Sequence, residues 1–513
     1  MTTTGYLFEQ MTKPIDISTS SILSPAGYSG LYAFHKYWGK KPHEPLAYVI
    51  QELTSPNDIV LDPFVGSGTV AREAVARDRR FIGFDINPCA IELTKLILNP
   101  PELEELHASF KQVRRVAYDA VEESYRLEDG RAIATHYLWD ANQLSKVWVR
   151  SRHRTARRGE FPPTLHDIKL AKTFAEYRSR KVRLPRFFTN GRINAKPTLT
   201  LSDLFTGRAQ RNIDIILDAI DTCPVATRLS LRLCLTAASG QMSKMVFAVT
   251  NRGKTKGEVN KRMEVGSWVI GFWRPRLHLE VNAWNCFENR VAKLLNSLKP
   301  GSRDQISPIS GGLGDLLASR AKAHLSCGDC RELLRDIPDD TVDLILTDPP
   351  HGDRIPYLEL SEIWNCILGF DVDFEREIVF SNAKERGKSS DVFSAEIGQG
   401  FRQLHRVLKP DGIMLIIFNA RDTDEWQSIR ALCRHGFRQN PLWSYLGYFP
   451  CQYSATSVVQ DNRAGSMCFD LVLAFARYDA PKDNNSVLNK LRSVPSWTSD
   501  APVQLSGGKA DDI

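Results

Sequence analysis

Asp348, Pro349, Pro350 and His351 form the segment best suited to chemistry, because they directly follow an apolar run, Val342–Thr347. Proline has no N–H to give to a sheet and holds φ fixed, so the segment is stiff and its backbone carbonyls are left free. One carboxylate beside free carbonyl acceptors suits an exocyclic amino group. The four residues therefore predict a catalytic loop at the end of a buried strand.

A second segment of this kind is the glycine-containing turn 63–69, Pro-Phe-Val-Gly-Ser-Gly-Thr, which follows the apolar run ending in Asp62. A helix at 70–76, a strand at 81–85 and a helix at about 88–98 complete a β-loop-α-β unit. Such a unit binds a nucleoside, because the glycines let the backbone approach the ligand. Asp85, at the end of the second strand, can hold ribose hydroxyls.

Two cofactors compete for this unit. Residues 66–71 also fit the dinucleotide pattern G-x-G-x-x-A. A dinucleotide would place its pyrophosphate at the helix N-terminus, where Asp62 adds a nearby anion. S-adenosylmethionine instead brings an ammonium and a sulfonium, which a carboxylate favours. Asp62-Pro63-Phe64 ahead of the glycines therefore favours S-adenosylmethionine.

The elements that must position these segments lie in two separated pieces, 31–100 and 321–478. The second piece has predicted strands at 323–329, 342–347 and 413–418, helices at 392–408 and 424–435, and a β pair at 449–459 and 468–476. Neither piece alone has enough strands for a doubly wound sheet. The prediction is an α/β, Rossmann-like sheet, split by a large, mainly helical insertion at 101–320 with helices at 204–217 and 226–238. Residues 1–30 are predicted as an N-terminal arm and 479–513 as a disordered tail.

The insertion is strongly basic in one stretch. Residues 146–186 carry thirteen Lys or Arg against three acids, with aromatic residues interleaved. A solvated face is the usual meaning of a charge run, but this imbalance favours a phosphate backbone and unstacked bases. The candidate nucleic-acid contacts are Arg150, Arg152, Arg154, Arg157, Arg158, Arg178, Arg180, Lys181 and Arg183.

Composition sets wider bounds on the 513-residue chain. A net charge of +7 and a pI of about 8.8 permit a nucleic acid as partner. No apolar run approaches the roughly 18 residues of a membrane span, and the N-terminus does not begin a signal peptide. The ten cysteines are irregularly spaced, with one C-x-x-C at Cys327 and Cys330, so reduced thiols and no metal are expected.

The two motifs together resemble the S-adenosylmethionine-dependent DNA amino-methyltransferases, which make N6-methyladenine or N4-methylcytosine. Residues 62–69 match that family's DPFxGSGT cofactor motif, and residues 348–351 match its [DNS]PP[YFW] catalytic motif. Asp85 and Asp329 match the acids that end its second and third strands, and 408–412 resembles the lead-in to its fifth. The order of the pieces is similar to members whose target-recognition region precedes the DPP motif.

The resemblance implies roles for individual residues. The implied cofactor-binding residues are Trp38, Asp62, Pro63, Phe64, Gly66, Ser67, Gly68, Thr69, Asp85 and Asp329. The implied catalytic residues are Asp348, Pro349, Pro350 and His351. Trp38 lies in residues 35–39, the lead-in to the cofactor motif, and Tyr357, an expected DNA contact, lies in residues 357–361. Both segments look like one bacterial subgroup of the family. Some members of that subgroup carry a zinc ribbon, but the insertion has no cysteine before Cys223.

His351 departs from the family, which has Tyr, Phe or Trp at this position to stack on the flipped base. Imidazole also stacks, over less area, and can titrate. Adenine N6 is favoured over cytosine N4 because the motif begins with Asp rather than Ser. The implied setting is the prokaryotic cytoplasm at the nucleoid, with double-stranded DNA as substrate and a companion restriction or defence nuclease as a candidate partner.

Two alternatives stay open. RNA or tRNA guanine-N2 methyltransferases combine similar loops, but they usually carry an N-terminal RNA-binding domain, for which the residues before His35 are too few. A non-catalytic DNA-binding protein that kept the fold is the other. Cys451, in Pro450-Cys451-Gln452, resembles the nucleophile of cytosine C5-methyltransferases, but their PCQ follows the fourth strand, where the DPP motif stands here.

Overall fold

The computed structural model describes residues 27–128, 132–149, 159–249, 254–255, 258–259, 263–266, 268, 270–299, 311–351, 355–418, 429, 442–452, 469–479, 485–494 and 496–499. Its strands are β1 (Ile59–Asp62), β2 (Arg80–Asp85), β3 (Ala134–Asp140), β4 (Gln143–Val149), β5 (Gly159–Phe161), β6 (Ala248–Val249), β7 (Lys254–Thr255), β8 (Glu258–Val259), β9 (Glu264–Val265), β10 (Leu277–Val281), β11 (Ala323–Cys327), β12 (Val342–Thr347), β13 (Leu408–Phe418), β14 (Trp443–Gln452) and β15 (Phe469–Arg477).

The α-helices of these residues are α1 (His43–Leu53), α2 (Thr69–Ala76), α3 (Pro88–Leu98), α4 (Leu103–Glu123), α5 (Leu165–Thr173), α6 (Leu201–Leu204), α7 (Gly207–Asp221), α8 (Val225–Met242), α9 (Ala283–Ser297), α10 (Leu313–Leu317), α11 (Cys330–Leu333), α12 (Tyr357–Leu368), α13 (Ser390–Val407) and α14 (Asn485–Arg492). Short 3-10 turns lie at Gly30–Ala33, Leu334–Asp336 and Lys384–Arg386. None of the described helices is both long and apolar enough to cross a bilayer.

One seven-stranded sheet joins the two αβ pieces, in the order β11-β2-β1-β12-β13-β15-β14. Its strands run parallel except β15, which is antiparallel to both of its neighbours. The chain leaves β1 towards β2 and β11, then returns to the other side of β1 with β12, so the strand order reverses between β1 and β12. The predicted α/β sheet built from two separated pieces is confirmed, and the reversal marks where such sheets bind ligands.

The sheet is buried on both faces, as its apolar strands require. Side chains alternate between the faces along each strand. In β1, Leu61 packs into one apolar layer with α13, while Val60 packs into the opposite layer with α1 and α2. The same alternation runs along β13, where Met414 and Leu415 lie in opposite layers. Two buried layers fix the strand register, and with it the positions of the strand ends.

The insertion contains helices, two of which were predicted, and also a sheet that was not predicted from the sequence. Helices α7 and α8 contain most of the predicted segments 204–217 and 226–238. An antiparallel sheet of order β10-β3-β4-β5 lies beside them. Its core is continuous with the lead-in and with α12, since Trp38, Trp148 and Trp364 belong to one buried cluster. The insertion therefore packs directly on the elements around the two motifs.

The expected disordered tail needs correction over residues 485–494 and 496–499. This segment forms α14, and its Leu491 and Val494 are buried in a layer beside the sheet. Thr498 then exchanges two backbone hydrogen bonds with Tyr448 of the edge strand β14, each 2.9 Å long. Polar composition suggested disorder, but a few apolar side chains dock this segment on the sheet edge, where it covers open N–H and C=O groups.

Candidate functional site

Four carboxylates meet at one edge of the sheet. Asp62 and Asp85 end β1 and β2, and Asp329 and Asp348 follow β11 and β12. Because the carboxyl ends of adjacent parallel strands share an edge, these residues line one cleft of about 890 Å³, including its open mouth. A cleft at the strand-order reversal is where open α/β sheets bind their ligands.

The glycine turn at the foot of the cleft has the backbone that its sequence demands. Gly66 and Gly68 have φ of 55° and 79°, a region that side-chain-bearing residues rarely adopt. A Cβ on Gly68 would lie 2.8 Å from Thr94 Oγ1, and one on Gly66 would lie 3.3 Å from the Tyr37 ring. Gly68 is therefore required by conformation and by space, and Gly66 by conformation; the turn leads directly into α2.

Asp62 is a buried acid, only 3% exposed. Its Oδ1 accepts hydrogen bonds from Thr347 Oγ1 at 2.7 Å and from the Phe64 N–H at 3.0 Å. Burial outweighs these bonds and raises the pKa of Asp62 to about 7, with a smaller contribution from the negative charges of Asp348 and Asp85. No cation of the described residues forms an ion pair with Asp62, so a cationic ligand would favour its ionised form.

The Asp85 carboxylate is held by two backbone N–H groups, one of which belongs to the glycine turn. Its two oxygens accept from the N–H groups of Gly66 at 2.8 Å and Asn87 at 2.9 Å. Burial raises the pKa of Asp85 to about 6, against these two bonds. Each oxygen keeps a second lone pair, which can accept a hydroxyl of a bound ribose.

Asp329 differs, because it already has a cationic partner. Arg331 pairs with it at 2.7 Å and donates its own backbone N–H to Oδ1 at 2.8 Å. Asp329 therefore caps α11 and lines the cleft as one half of an ion pair. Cys327 and Cys330, on either side of it, are free thiols.

Asp348 has both carboxylate oxygens engaged. His351 Nε2 lies 2.8 Å from Oδ1, and Lys41 Nζ lies 3.2 Å from Oδ2. Lys41 also pairs at 2.8 Å with Asp470, whose side chain is only 2% exposed. The His351 ring rests against Phe418 at a centroid distance of 4.8 Å. The stiff loop is thus tied to the N-terminal lead-in and to β15.

Aromatic side chains also line the cleft. Tyr37 stacks on Tyr357 with ring centroids 6.0 Å apart, and both line the cleft. Trp38 stacks on Trp364 of α12 at 4.6 Å and also reaches the cleft. Burial raises the pKa of Tyr37 and of Tyr357, so both stay neutral and can offer flat faces or hydroxyl groups to a ligand.

A buried ion-pair cluster fixes the helix that carries Tyr357. Arg386 pairs with Glu359 at 2.9 Å and with Glu377 at 2.7 Å, and all three side chains are almost fully buried. Glu377 in turn accepts from the Leu358 N–H at the start of α12 and lines the cleft. Burial raises the pKa of Glu377, while Arg386 opposes the shift.

The basic residues of the insertion divide into two groups. Lys181 pairs with Asp218 and Asp221, and Arg183 pairs with Glu362 of α12, so part of their charge is used inside the protein. Arg178 and Arg180 are exposed. Among the described residues Arg178 forms an ion pair with Glu176 at 3.4 Å and donates to the backbone carbonyls of Ala175 and Tyr177. Arg150, Arg152, Arg154, Arg157 and Arg158 lie outside the described residues, as do the basic loop before Lys254 and all of the predicted helix 424–435 except Ile429.

The structure brings most of the implied site residues together. The cleft is lined by Trp38, Asp62, Pro63, Phe64, Gly66, Ser67, Thr69, Asp85, Asp329, Asp348, Pro350 and Tyr357. Gly68, Pro349 and His351 lie next to these residues in the two loops. Among the described residues, no group of three or more His, Cys, Asp or Glu is arranged to hold a metal ion.

Sequence reasoning missed Lys41, Tyr37, Glu377 and Asp470. The first two lie in the segment 34–42, which contains the lead-in 35–39 and is dense in aromatic residues and lysines; that density is the signal that the sequence offers. Nothing in the sequence marks Asp470 or Glu377. Cys451 pairs with Asp470 across β14 and β15, so it lies nearer to the cleft than its sequence position indicated. Burial raises the pKa of Cys451 to about 12, which keeps it a thiol and not a nucleophilic thiolate.

Comparison with known proteins agrees with the cofactor motif at residues 62–69. The family model for DNA methylases matches residues 14–96. The type II methyltransferase M1.MboII of Moraxella bovis is 40% identical over 63 residues, 12% of this chain and 24% of that protein. M.HinfI of Haemophilus influenzae is 33% identical over 100 residues, 16% and 28% respectively. The DNA adenine methyltransferase YhdJ of Escherichia coli is 48% identical over 48 residues, 9% and 16%.

These matches confirm the predicted resemblance to the DNA amino-methyltransferase family. The chain spans about a quarter of the length of the first two relatives. The family match contains the Asp62–Thr69 turn and Asp85 but ends before the DPP loop. The large mixed sheet is consistent with a methyltransferase fold.

Proposed function

We propose that this protein is a DNA methyltransferase that moves a methyl group from S-adenosylmethionine to an exocyclic amine of a flipped base, with adenine N6 favoured. The observation that carries the proposal is the convergence of the Asp62–Thr69 turn and Asp348 in one cleft, although 278 residues lie between Thr69 and Asp348. The similarity to type II methyltransferases and to a DNA adenine methyltransferase supports DNA over RNA as substrate.

The cleft fits the charge of S-adenosylmethionine. Asp62 is buried without a described cationic partner, an arrangement that a positively charged ligand would relieve. The turn at Gly66 brings backbone close to the ligand, and Asp85 can accept ribose hydroxyls. When bound, the cofactor supplies a methyl group activated by a sulfonium. A dinucleotide fits less well, since its pyrophosphate would approach Asp62.

The chain's own contribution to the chemistry comes from the DPP loop. An amine on a base is a poor nucleophile because its lone pair is delocalised into the ring. Asp348 and the Pro349 carbonyl would accept the two amine hydrogens and favour a pyramidal nitrogen. Asp348 would then stabilise the positive charge that develops on that nitrogen. This role requires His351 to leave Asp348 Oδ1 when the base enters, after which its ring can stack on the base.

DNA would be held by the insertion. Arg178 and Arg180 are exposed on a segment whose neighbour Arg183 is tied to α12, the helix that begins with Tyr357 in the cleft. Cations on a support fixed to the active-site helix can hold the phosphate backbone while a base is turned out.

Expression in a methylation-free host, followed by modified-base sequencing of its genome, tests the substrate, the base and the recognition site together. Asp348→Ala is expected to abolish methylation while S-adenosylmethionine binding, measured by calorimetry, survives. Asp411→Ala, which changes an exposed acid at the start of β13, is the control and should methylate normally. Turnover by Asp348→Ala would refute the mechanism. Absence of S-adenosylmethionine binding in the wild-type protein would leave only a DNA-binding protein.

A further inference from the structure

We propose that Lys41 and Asp470 are positioning residues that orient the Asp348 carboxylate towards the target amine, a role that rests on the proposed methyltransferase function. Lys41 lies just before α1, Asp470 lies in β15, and Asp348 lies in the loop after β12. Lys41 Nζ lies 2.8 Å from Asp470 Oδ2 and 3.2 Å from Asp348 Oδ2. An ordinary surface contact does not explain this convergence, because the side chain of Lys41 is 10% exposed and that of Asp470 is 2% exposed.

The first consequence concerns geometry. A carboxylate rotates about its Cβ–Cγ bond and can present either oxygen unless one is held. Asp470 holds the Lys41 ammonium, and the ammonium holds Oδ2 of Asp348. Oδ1 is then the acceptor left for the amine. In this structure His351 Nε2 lies 2.8 Å from Oδ1. A nitrogen atom can therefore reach Oδ1 while Lys41 holds Oδ2.

The second consequence concerns charge. Lys41 alone would neutralise Asp348, and a neutral pair would give little stabilisation to a positively charged amine. Asp470 supplies a second negative charge, so the three groups together carry a net charge of −1 when Lys41 is protonated. Lys41 can therefore fix the carboxylate without cancelling it. The pair Lys41–Asp470 has an electrostatic purpose that neither residue would have alone.

The test compares Lys41→Met, Lys41→Arg, Asp470→Asn and the Lys41→Met/Asp470→Asn double variant. Genomic DNA from a methylation-free host and labelled S-adenosylmethionine serve as substrates. Lys41→Met and Asp470→Asn are each expected to lower kcat about a hundredfold, the loss typical of a misplaced catalytic group. Cofactor Kd and the KM for DNA should change little, because Lys41 and Asp470 pair with each other and with Asp348, not with Asp62 or Asp85 of the proposed cofactor site or with the exposed Arg178 and Arg180. Lys41→Arg, which keeps a charged donor, should recover part of the lost kcat.

The double variant shows whether the two residues act as one unit. If they do, it loses no more kcat than the worse single variant, since each single change already breaks the unit. Asp470→Asn is nearly isosteric, so it keeps the test valid if Lys41→Met does not fold. The matched control is Lys409→Met. Lys409 pairs with Asp343, which lies near the start of β12, whereas the DPP loop follows the end of that strand.

Each outcome has a separate meaning. If the wild-type protein methylates DNA and neither Lys41→Met nor Asp470→Asn lowers kcat, the positioning role is overturned and the proposed function stands. A lower melting temperature with unchanged kcat of the folded fraction overturns it as well, because it indicates a structural pair only. No turnover by the wild-type protein, despite cofactor binding, overturns the proposed function and this role together.

Discussion

The raised pKa of Asp62 makes cofactor binding depend on pH in a defined direction. Burial raises this pKa from 3.8 to about 7, so below pH 7 most of the unliganded protein carries a neutral Asp62. A cationic cofactor favours the ionised form and must displace a proton. We therefore expect the Kd of S-adenosylmethionine to fall about tenfold per pH unit as the pH rises towards 7, and then to level off.

The same shift predicts the stability of a neutral replacement. A shift of about three pKa units corresponds to about 4 kcal/mol, at roughly 1.4 kcal/mol per unit. Because the folded pKa is raised, the stabilising effect of the neutral acid is complete below pH 4 and is lost as the pH rises through 7. Asp62→Asn keeps an oxygen that accepts from Thr347 and Phe64. The cofactor-free variant should therefore unfold at a higher urea concentration than the wild type at pH 8, and the difference should be less than half as large at pH 5.

Calorimetry from pH 5.5 to 7.5 and urea unfolding at pH 5 and 8 measure both effects. Asp85, whose pKa is about 6, adds to the slope at the acidic end, so the slope between pH 6.5 and 7.5 belongs to Asp62. Asp411→Asn, an exposed acid, should alter neither measurement. A flat Kd across this range, or an Asp62→Asn variant less stable than wild type at pH 8, would refute the assignment of Asp62 as a buried acid awaiting a cation.

Three further substitutions test the supports of the site. Gly68→Ala should lower cofactor affinity and stability by about 1 kcal/mol or more, because φ is 79° and a Cβ would meet Thr94. Calorimetry measures the affinity and denaturation the stability. An unchanged cofactor Kd would contradict this prediction. Arg386→Met should lower the free energy of unfolding by about 3–5 kcal/mol by leaving two buried glutamates unpaired, whereas a loss under about 1 kcal/mol would contradict the buried pairing. Arg178→Gln should reduce the slope of log Kd for DNA against log salt by about 1, while Lys181→Gln, already paired, should reduce it less; equal slopes for both would refute the division.

The sequence predicted the parts of the site whose cause is local. The Asp62–Thr69 turn is recognisable because its backbone conformation depends on glycines at two positions. The loop at Asp348 is recognisable because prolines end an apolar strand. The sheet followed from apolar runs, since strands buried on both faces are continuous stretches of Ile, Leu and Val.

The contacts that complete the site depend on the tertiary fold. Lys41 and Asp470 are 429 residues apart, and only the pairing of β15 with β13 and β14 brings them together. The tail segment was predicted as disordered because its average composition is polar, although Leu491 and Val494 suffice to dock it. The antiparallel sheet in the insertion was missed because its strands expose part of each side and lack the apolar runs of the main sheet.

The four acids of the cleft differ in how their charge is compensated, and this difference divides the cleft. Asp329 has Arg331, and Asp348 has Lys41. Asp62 and Asp85 receive only neutral hydrogen-bond donors among the described residues, and burial raises the pKa of both. A ligand that brings positive charge and hydroxyl groups gains most beside the second pair. An amine that becomes positive only during reaction gains most beside Asp348, whose carboxylate is fixed in advance by a cation that Asp470 balances. Under the proposed function, charge would place the cofactor beside Asp62 and Asp85 and the base beside Asp348.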